Sequence, residues 1–330
     1  MIEIILFFLL YIIGFLGVAV IAPPFIKRMH EQGLVGKDMN KYSKPKVAEL
    51  GGVVVFLGFV LSIFIGTLIA SYLNLINIDY FLLFSSFCTI AMITFIGVID
   101  DIVGWKKGIR QWQHFIIPIL AAIPMVIAFS GASTIIIPGF GSFNFWIFYP
   151  LIIIPIAVTG ASNAVNMLAG FNGLEAGQGF ILTAALTIIA LASGQYAAAL
   201  FGLAMIGALH AFLKFNWFPA KIFGGDSLTL MIGANLAVMS IIGHLEIFGL
   251  LLFALFFVEC AIKAKHRMKS ECFGIPSKNG TLSANPKGGS LTQWIMKVGK
   301  NQLRENEVTL IILGIQMIIS ILVILYFFLK

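Results

Sequence analysis

The sequence predicts an all-α protein that crosses a membrane about ten times, and three observations carry that prediction. Of 330 residues, 60% are hydrophobic and 11% charged, with a mean hydropathy of +1.02, a balance that no soluble domain has. Apolar windows near the ~20 residues that a helix needs to cross a bilayer recur along the whole chain. Basic residues collect in alternate loops.

In order, the windows fall at about 2–24, 51–72, 80–99, 113–130, 145–163, 176–193, 195–213, 226–243, 246–262 and 307–329. The first has no cationic segment before it and is too long for a signal-peptide core, so it reads as a retained span. Pro118, Pro124 and Pro155 lie inside spans and should kink them. Pro150 lies near the start of the fifth span, where a proline costs less. Gly131 to Phe145, with β-branched residues around Pro138-Gly139, predicts a short hairpin. Ser193-Gly194-Gln195 makes a tight turn between the sixth and seventh spans. Leu291, Trp294, Ile295 and Val298 predict a helix lying in the membrane interface, and the 31 phenylalanines read as lipid-facing bulk. There is no repeat and no long linker, so residues 1–330 form a single domain, with a long ninth loop at 263–306.

The charges orient the bundle. Of 21 Lys and Arg, six lie in the first loop, three in the third (Lys106, Lys107, Arg110), two in the seventh and nine in the ninth. Basic loops stay cytoplasmic, so the odd-numbered loops are cytoplasmic and both termini are outside. The net charge of +7 is this signal and calls for no nucleic-acid partner. The cysteines Cys88, Cys260 and Cys272 have no paired spacing and imply neither disulfide nor zinc.

Chemistry-bearing residues gather on the same side. Asn163 to Gly179, NAVNMLAGFNGLEAGQG, is a polar, glycine-rich break in a greasy chain, tolerated beside a bilayer only where it is buried or lines a wet cavity. Asn163 and Asn166 share one helix face. The third span ends in Asp100-Asp101, where one acid would suffice for a solvated helix end. Asp226 opens the eighth span after two glycines, as an N-cap, a metal ligand or both. The first loop adds Asp38, Asn40, Lys41 and Glu49. Carboxylates and amides without a Cys/His cluster suit Mg2+, which takes one or two carboxylates plus substrate phosphates. Cations beside a hard metal imply a phosphorylated substrate, and the lipid boundary implies a lipid phosphate. A secondary transporter of an anionic solute is the alternative, but its polar breaks would lie near the midplane in matching halves.

Asp100-Asp101, NAVNMLAGFNGLEAG and FGGD (Phe223 to Asp226), in that order on ten spans, resemble the polyprenyl-phosphate N-acetylhexosamine-1-phosphate transferase family. Asp38, Asn40, Lys41, Pro45 and Gly51-Gly52 agree with its first loop, and the likeness runs from about residue 27 to the last span. Members that make the peptidoglycan lipid carry NxxNxxDGxDGL, whose aspartates are Ala169 and Asn172 here, and the triple-histidine loop is missing. The stretch is instead similar to the eukaryotic and archaeal branch, and the compact ninth loop points to the archaeal cell membrane.

The resemblance implies transfer of GlcNAc-1-phosphate from UDP-GlcNAc to dolichyl or polyprenyl phosphate, with release of UMP, as the first step toward N-glycosylation. It implies Mg2+ on Asn166 and Asp226, and uracil between Gly170 and Phe223 with its edge read by Asn172. It places Arg110 on the diphosphate, Asp100 and Asp101 beside the lipid phosphate, and Glu49 facing the site. Lys41 belongs to the first-loop match as a substrate-binding residue. Where the eukaryotic branch has Arg-His-Arg before Ile-Pro, this chain has Cys272-Phe273-Gly274 before Ile275-Pro276. Arg267, Lys269 and Lys278 are the candidates to replace that cation, and another UDP-HexNAc sugar is the alternative substrate. The expected partners are therefore the two substrates and membrane lipid, with a homodimer also open. A phosphate monoester with a second pKa of about 6 is already largely dianionic at neutral pH. That favours a single in-line displacement, with Asp100 or Asp101 positioning the acceptor.

Overall fold

A computed structural model describes the chain apart from residues 1, 76, 104–112, 130–132, 138 and 287, and apart from the side chains of 2–4 and 113–115. Helix α1 (Ile2–Gln32) leads to a ribbon of β1 (Val35–Lys37) and β2 (Lys46–Ala48), then α2 (Gly51–Tyr72) and α3 (Tyr80–Val103). Next come α4 (Gln113–Ala121), α5 (Ile123–Ala128) and the expected hairpin of β3 (Thr134–Ile137) and β4 (Gly141–Asn144). A π-helical turn at Tyr149–Ile153 opens α6 (Ile154–Met167), followed by α7 (Leu174–Ala192), α8 (Tyr196–Asn216) and α9 (Gly225–Ile242). The chain closes with α10 (Glu246–Leu252), α11 (Ala254–Lys265), the pair β5 (Ile275–Pro276) and β6 (Leu282–Ser283), α12 (Leu291–Val298) and α13 (Glu305–Phe328).

Among the described residues, eight helices are long and apolar enough to cross a membrane, and α10 with α11, bent by 56°, makes a ninth if the pair is one span. The fourth window is the difference. Its apolar helix, Ile116–Ala128, is shorter and broken at Ala122. Pro124 supplies no amide to the turn before it, which ends α4.

The core sits around α9, which is buried along nearly its whole length against α2, α3, α6, α7 and α8. Between helices in lipid there is little hydrophobic driving force, so close packing of small residues matters more. A Cβ on Gly207 of α8 would stand 2.1 Å from the Tyr11 carbonyl of α1, and one on Gly233 of α9 would stand 2.3 Å from the Ala161 carbonyl of α6. The α10–α11 bend frees backbone carbonyls, and the buried Gln316 of α13 donates to the Leu252 carbonyl at 3.2 Å. Large apolar side chains such as Phe8, Leu68, Phe95, Phe148 and Leu322 cover the outer faces. The phenylalanines are not all lipid-facing: Phe59, Phe171, Phe201, Phe212 and Phe256 are fully buried, filling the spaces between helices. The helix expected there is α12; of its apolar face, Leu291 and Ile295 are buried while Trp294 and Val298 are exposed.

Candidate active site

Helix termini meet at one end of the bundle and enclose a cavity of about 930 Å³. Its floor is the N-terminus of α9. The first amides of a helix have no intrahelical acceptor, and here the cap comes from another helix. Asp101 of α3 accepts from the Asp226 amide at 2.7 Å, the Ser227 amide at 3.1 Å and the Ser227 hydroxyl at 2.6 Å. The carboxylate meets the positive end of the α9 dipole, which favours it there. The amides of Gly51 and Gly52, which open α2, reach the carbonyls of Phe223 and Gly224 at 2.9 and 2.8 Å. Phe223 in turn donates its amide to Ala48 at 2.8 Å. The two glycine pairs thus lace one helix start to another.

Asp226 is therefore free of capping duty. Its carboxyl lies within hydrogen-bond reach of the Asp100 carboxyl and receives a hydrogen bond from the Asn166 side chain. Among the described residues no three His, Cys, Asp or Glu side chains group as a metal site. The donor set is two carboxylates and an amide, which fits a hard cation that keeps waters and substrate phosphates. The cavity as a whole leans the same way. Seven carboxylates line it (Asp38, Glu49, Asp100, Asp101, Glu175, Asp226, Glu271) against two described cations, Lys37 and Lys263. An anionic ligand entering there needs further positive charge.

One wall is the glycine-rich stretch. Gly170 sits at φ +105°, outside the range that side chains favour. Its amide donates to Glu175 at 2.5 Å and its carbonyl accepts from Asn40 at 2.8 Å. Asn172 is held by Asp38 and by Glu305 at the start of α13. Its amide donates to Glu305 at 2.9 Å and its side-chain nitrogen to Asp38 at 3.1 Å and Glu305 at 3.5 Å. Asn163, by contrast, bonds back to the Thr159 carbonyl at 2.9 Å and is absent from the cavity wall. Gly177 and Gly179 admit Leu313 and Ile232, so they serve helix packing and not ligand approach.

The ninth loop adjoins this wall. Lys263 donates to the Met167 carbonyl at the end of α6 and lies 3.5 Å from the buried Glu259. Cys272 donates to the same carbonyl at 3.4 Å, and burial pushes its thiol up, leaving it an inert donor. Phe273 packs on Gly170: a Cβ there would stand 2.8 Å from its ring.

Of the residues singled out in the sequence, Glu49, Asp100, Asp101, Asn166, Gly170, Asn172, Phe223 and Asp226 all line the one cavity. Arg110 lies outside the described residues, as do Lys106 and Lys107. Lys41 is not on the wall. Its ammonium pairs with Asp38, contacts Glu305 at 3.1 Å and lies 4.6 Å over the Phe218 ring, so its charge is engaged inside the protein. Arg267 and Lys269 also lie off the wall, exposed where the chain leaves α11. Lys263, one turn after Glu259, is the described cation of that region that lines the cavity. That spacing within an apolar helix was its sequence signal. Glu305 gave none, because an acid opening a helix is an ordinary feature.

Glu49 makes this site sensitive to pH. Burial, and then the Asp101 charge, raise its carboxyl above the usual 4.5. The folded state binds this proton more tightly than the unfolded chain, so its stabilising contribution is present below 4.5 and lost as pH rises through the higher folded value. Glu49→Gln is expected to flatten the decline in melting temperature above pH 4.5, measured in detergent at stepped pH.

Residues 83–244 match the model of glycosyl transferase family 4. The chain is 35% identical over 302 residues to a protein of Saccharolobus solfataricus, covering 91% of this chain and 90% of that one. It is 36% identical over 325 residues to one of Sulfolobus acidocaldarius, covering 96% and 94%. Both carry the provisional name UDP-N-acetylglucosamine–dolichyl-phosphate N-acetylglucosaminephosphotransferase. The phospho-N-acetylmuramoyl-pentapeptide-transferase of Halalkalibacterium halodurans is 31% identical over 265 residues, covering 75% and 78%. With likeness of this extent spanning the helices that build the cavity, the chain belongs to glycosyl transferase family 4.

Proposed function

We propose that this chain transfers GlcNAc-1-phosphate from UDP-GlcNAc to dolichyl or polyprenyl phosphate and releases UMP. The observation that carries the reading is the meeting of Asp100, Asn166 and Asp226 in an acid-rich cavity at one end of an apolar bundle. The relatives named for this reaction support the choice of substrates. The reaction belongs to the cytoplasmic face of the cell membrane, as the first step of a lipid-linked oligosaccharide for N-glycosylation.

Mg2+ held by Asn166, Asp226 and Asp100 would supply the positive charge that the diphosphate needs. The acceptor's phosphate oxygen forms a bond to the β-phosphorus of the donor, while the bond from that phosphorus to the bridging oxygen breaks and UMP leaves. The acceptor is already largely dianionic, so alignment and charge neutralisation are what the protein adds. Asp101 acts by holding the start of α9, which carries Asp226 into place. In this reading Gly170 and Phe223 flank the base, and Lys263 and Arg110 are the cations assigned to the phosphates.

Purified protein with UDP-GlcNAc, dolichyl phosphate and Mg2+ is expected to release UMP, and omitting any one of the three should stop it. Release with a different UDP-sugar alone would keep the chemistry and change the sugar. No UMP from any UDP-sugar, by folded protein, would overturn the reading in favour of transport.

A further inference from the structure

We propose that Asp38 and Glu305 are positioning residues that decide which face of the Asn172 carboxamide meets the nucleobase, and that they thereby restrict the donor to a base with a ring N–H at its recognition edge. The inference rests on the nucleotide-sugar reading above.

A carboxamide presents an acceptor on one side and two donors on the other, and only its surroundings decide which side faces a ligand. Both groups packed on the Asn172 nitrogen are carboxylates, Asp38 Oδ2 at 3.1 Å and Glu305 Oε2 at 3.5 Å. Ionised carboxylates only accept, so the nitrogen must face them. Lys41 and Asn40 also donate to both acids, so the geometry sets the two carboxyl groups as acceptors. The three polar side chains are almost wholly buried, so water cannot substitute for a lost partner. With both of its N–H groups committed, Asn172 has its oxygen left for a ligand at the cavity wall. An oxygen pairs with the N3–H of uracil and faces the lone pair on N3 of cytosine. Glu305 also accepts from the Asn172 amide and from Asn40, which holds the Gly170 carbonyl and accepts from the Gly274 amide at 3.0 Å. One acid of the last helix thus sets the base-reading residue and ties the first, fifth and ninth loops together.

The test is the ratio of CMP to UMP dissociation constants for detergent-purified wild type, Glu305→Gln, Asp38→Asn and the double variant, with thermal denaturation to confirm folding. Each amide replaces an acceptor by a donor and favours the turned-over carboxamide of Asn172. Wild type should bind UMP on the order of a hundredfold more tightly than CMP, and each single variant should narrow that ratio by roughly tenfold. The double variant should narrow it further, with CMP binding gained in absolute terms. Folded variants that weaken both nucleotides equally would show a structural role only and overturn the proposal. So would a wild type that binds the two alike. Wild-type UMP release from UDP-GlcNAc separates these outcomes from failure of the underlying reading.

Discussion

Asp226→Ala is expected to lower UMP release by about a thousandfold while leaving the fold intact. A metal ion contributes several kcal/mol of charge stabilisation to a transition state. At 1.36 kcal/mol per tenfold, ~4 kcal/mol corresponds to that loss. The prediction is sharp because the structure separates the two roles open to an acid at the start of α9. The cap is Asp101, with three donors on its carboxylate. The Asp226 side chain instead faces Asp100 and Asn166, so its removal leaves the α9 cap in place. The melting temperature should therefore hold as activity disappears. Retention of more than a tenth of the rate would end the metal assignment. A falling melting temperature would return Asp226 to a structural role. Chelating divalent cations from the wild type should reproduce the variant's loss, reversibly.

Gly97→Ala is expected to cost about a hundredfold in activity although residue 97 touches no substrate in the proposed reaction. A Cβ there would stand 2.6 Å from the Asp226 carbonyl and from the backbone of Ser227. Backbone atoms cannot rotate away, so α3 must shift from α9. Overpacking of this kind costs about 1–3 kcal/mol of stability. The catalytic cost comes from displacement, since α3 carries Asp100 and Asp101 one turn further on, and a misplacement near 1 Å can cost on the order of 100-fold. Gly314→Ala is the control, because a Cβ in that helix meets nothing within 4 Å. It should leave both rate and melting temperature near wild type. A Gly97→Ala protein with normal turnover would show that the α3–α9 seam tolerates movement.

Much of the candidate site was legible because its residues break local rules. Asp100-Asp101 doubles an acid where one suffices, and Asn166, Gly170 and Asn172 interrupt an apolar run where a bilayer makes polar breaks costly. Residues that obey local rules stayed hidden. Glu305 looks like any acid in a first helical turn, and Gln316 like a stray polar residue in the last span. Their roles depend on partners far away in the chain: Asn172 for one, the Leu252 carbonyl for the other. The positions of the basic residues told even less. Arg267 and Lys269 resemble Lys263 in sequence, but only Lys263 lies on the cavity wall.

By itself the sequence determined the helical membrane class, the order of the elements and the set of polar segments that gather at one end. These follow from hydropathy and residue type, which act locally. Only the tertiary structure decided the division of labour among like residues. It made Asp101 a cap and set Asp226 beside Asp100 and Asn166, tied Lys41 to Asp38 and Glu305, and bent α10 against α11 where no proline marks it. The physical reason is that a carboxylate, an amide or an ammonium has the same chemistry everywhere. What differs is which donors, acceptors and backbone ends the packing of distant helices brings within about 3 Å of it.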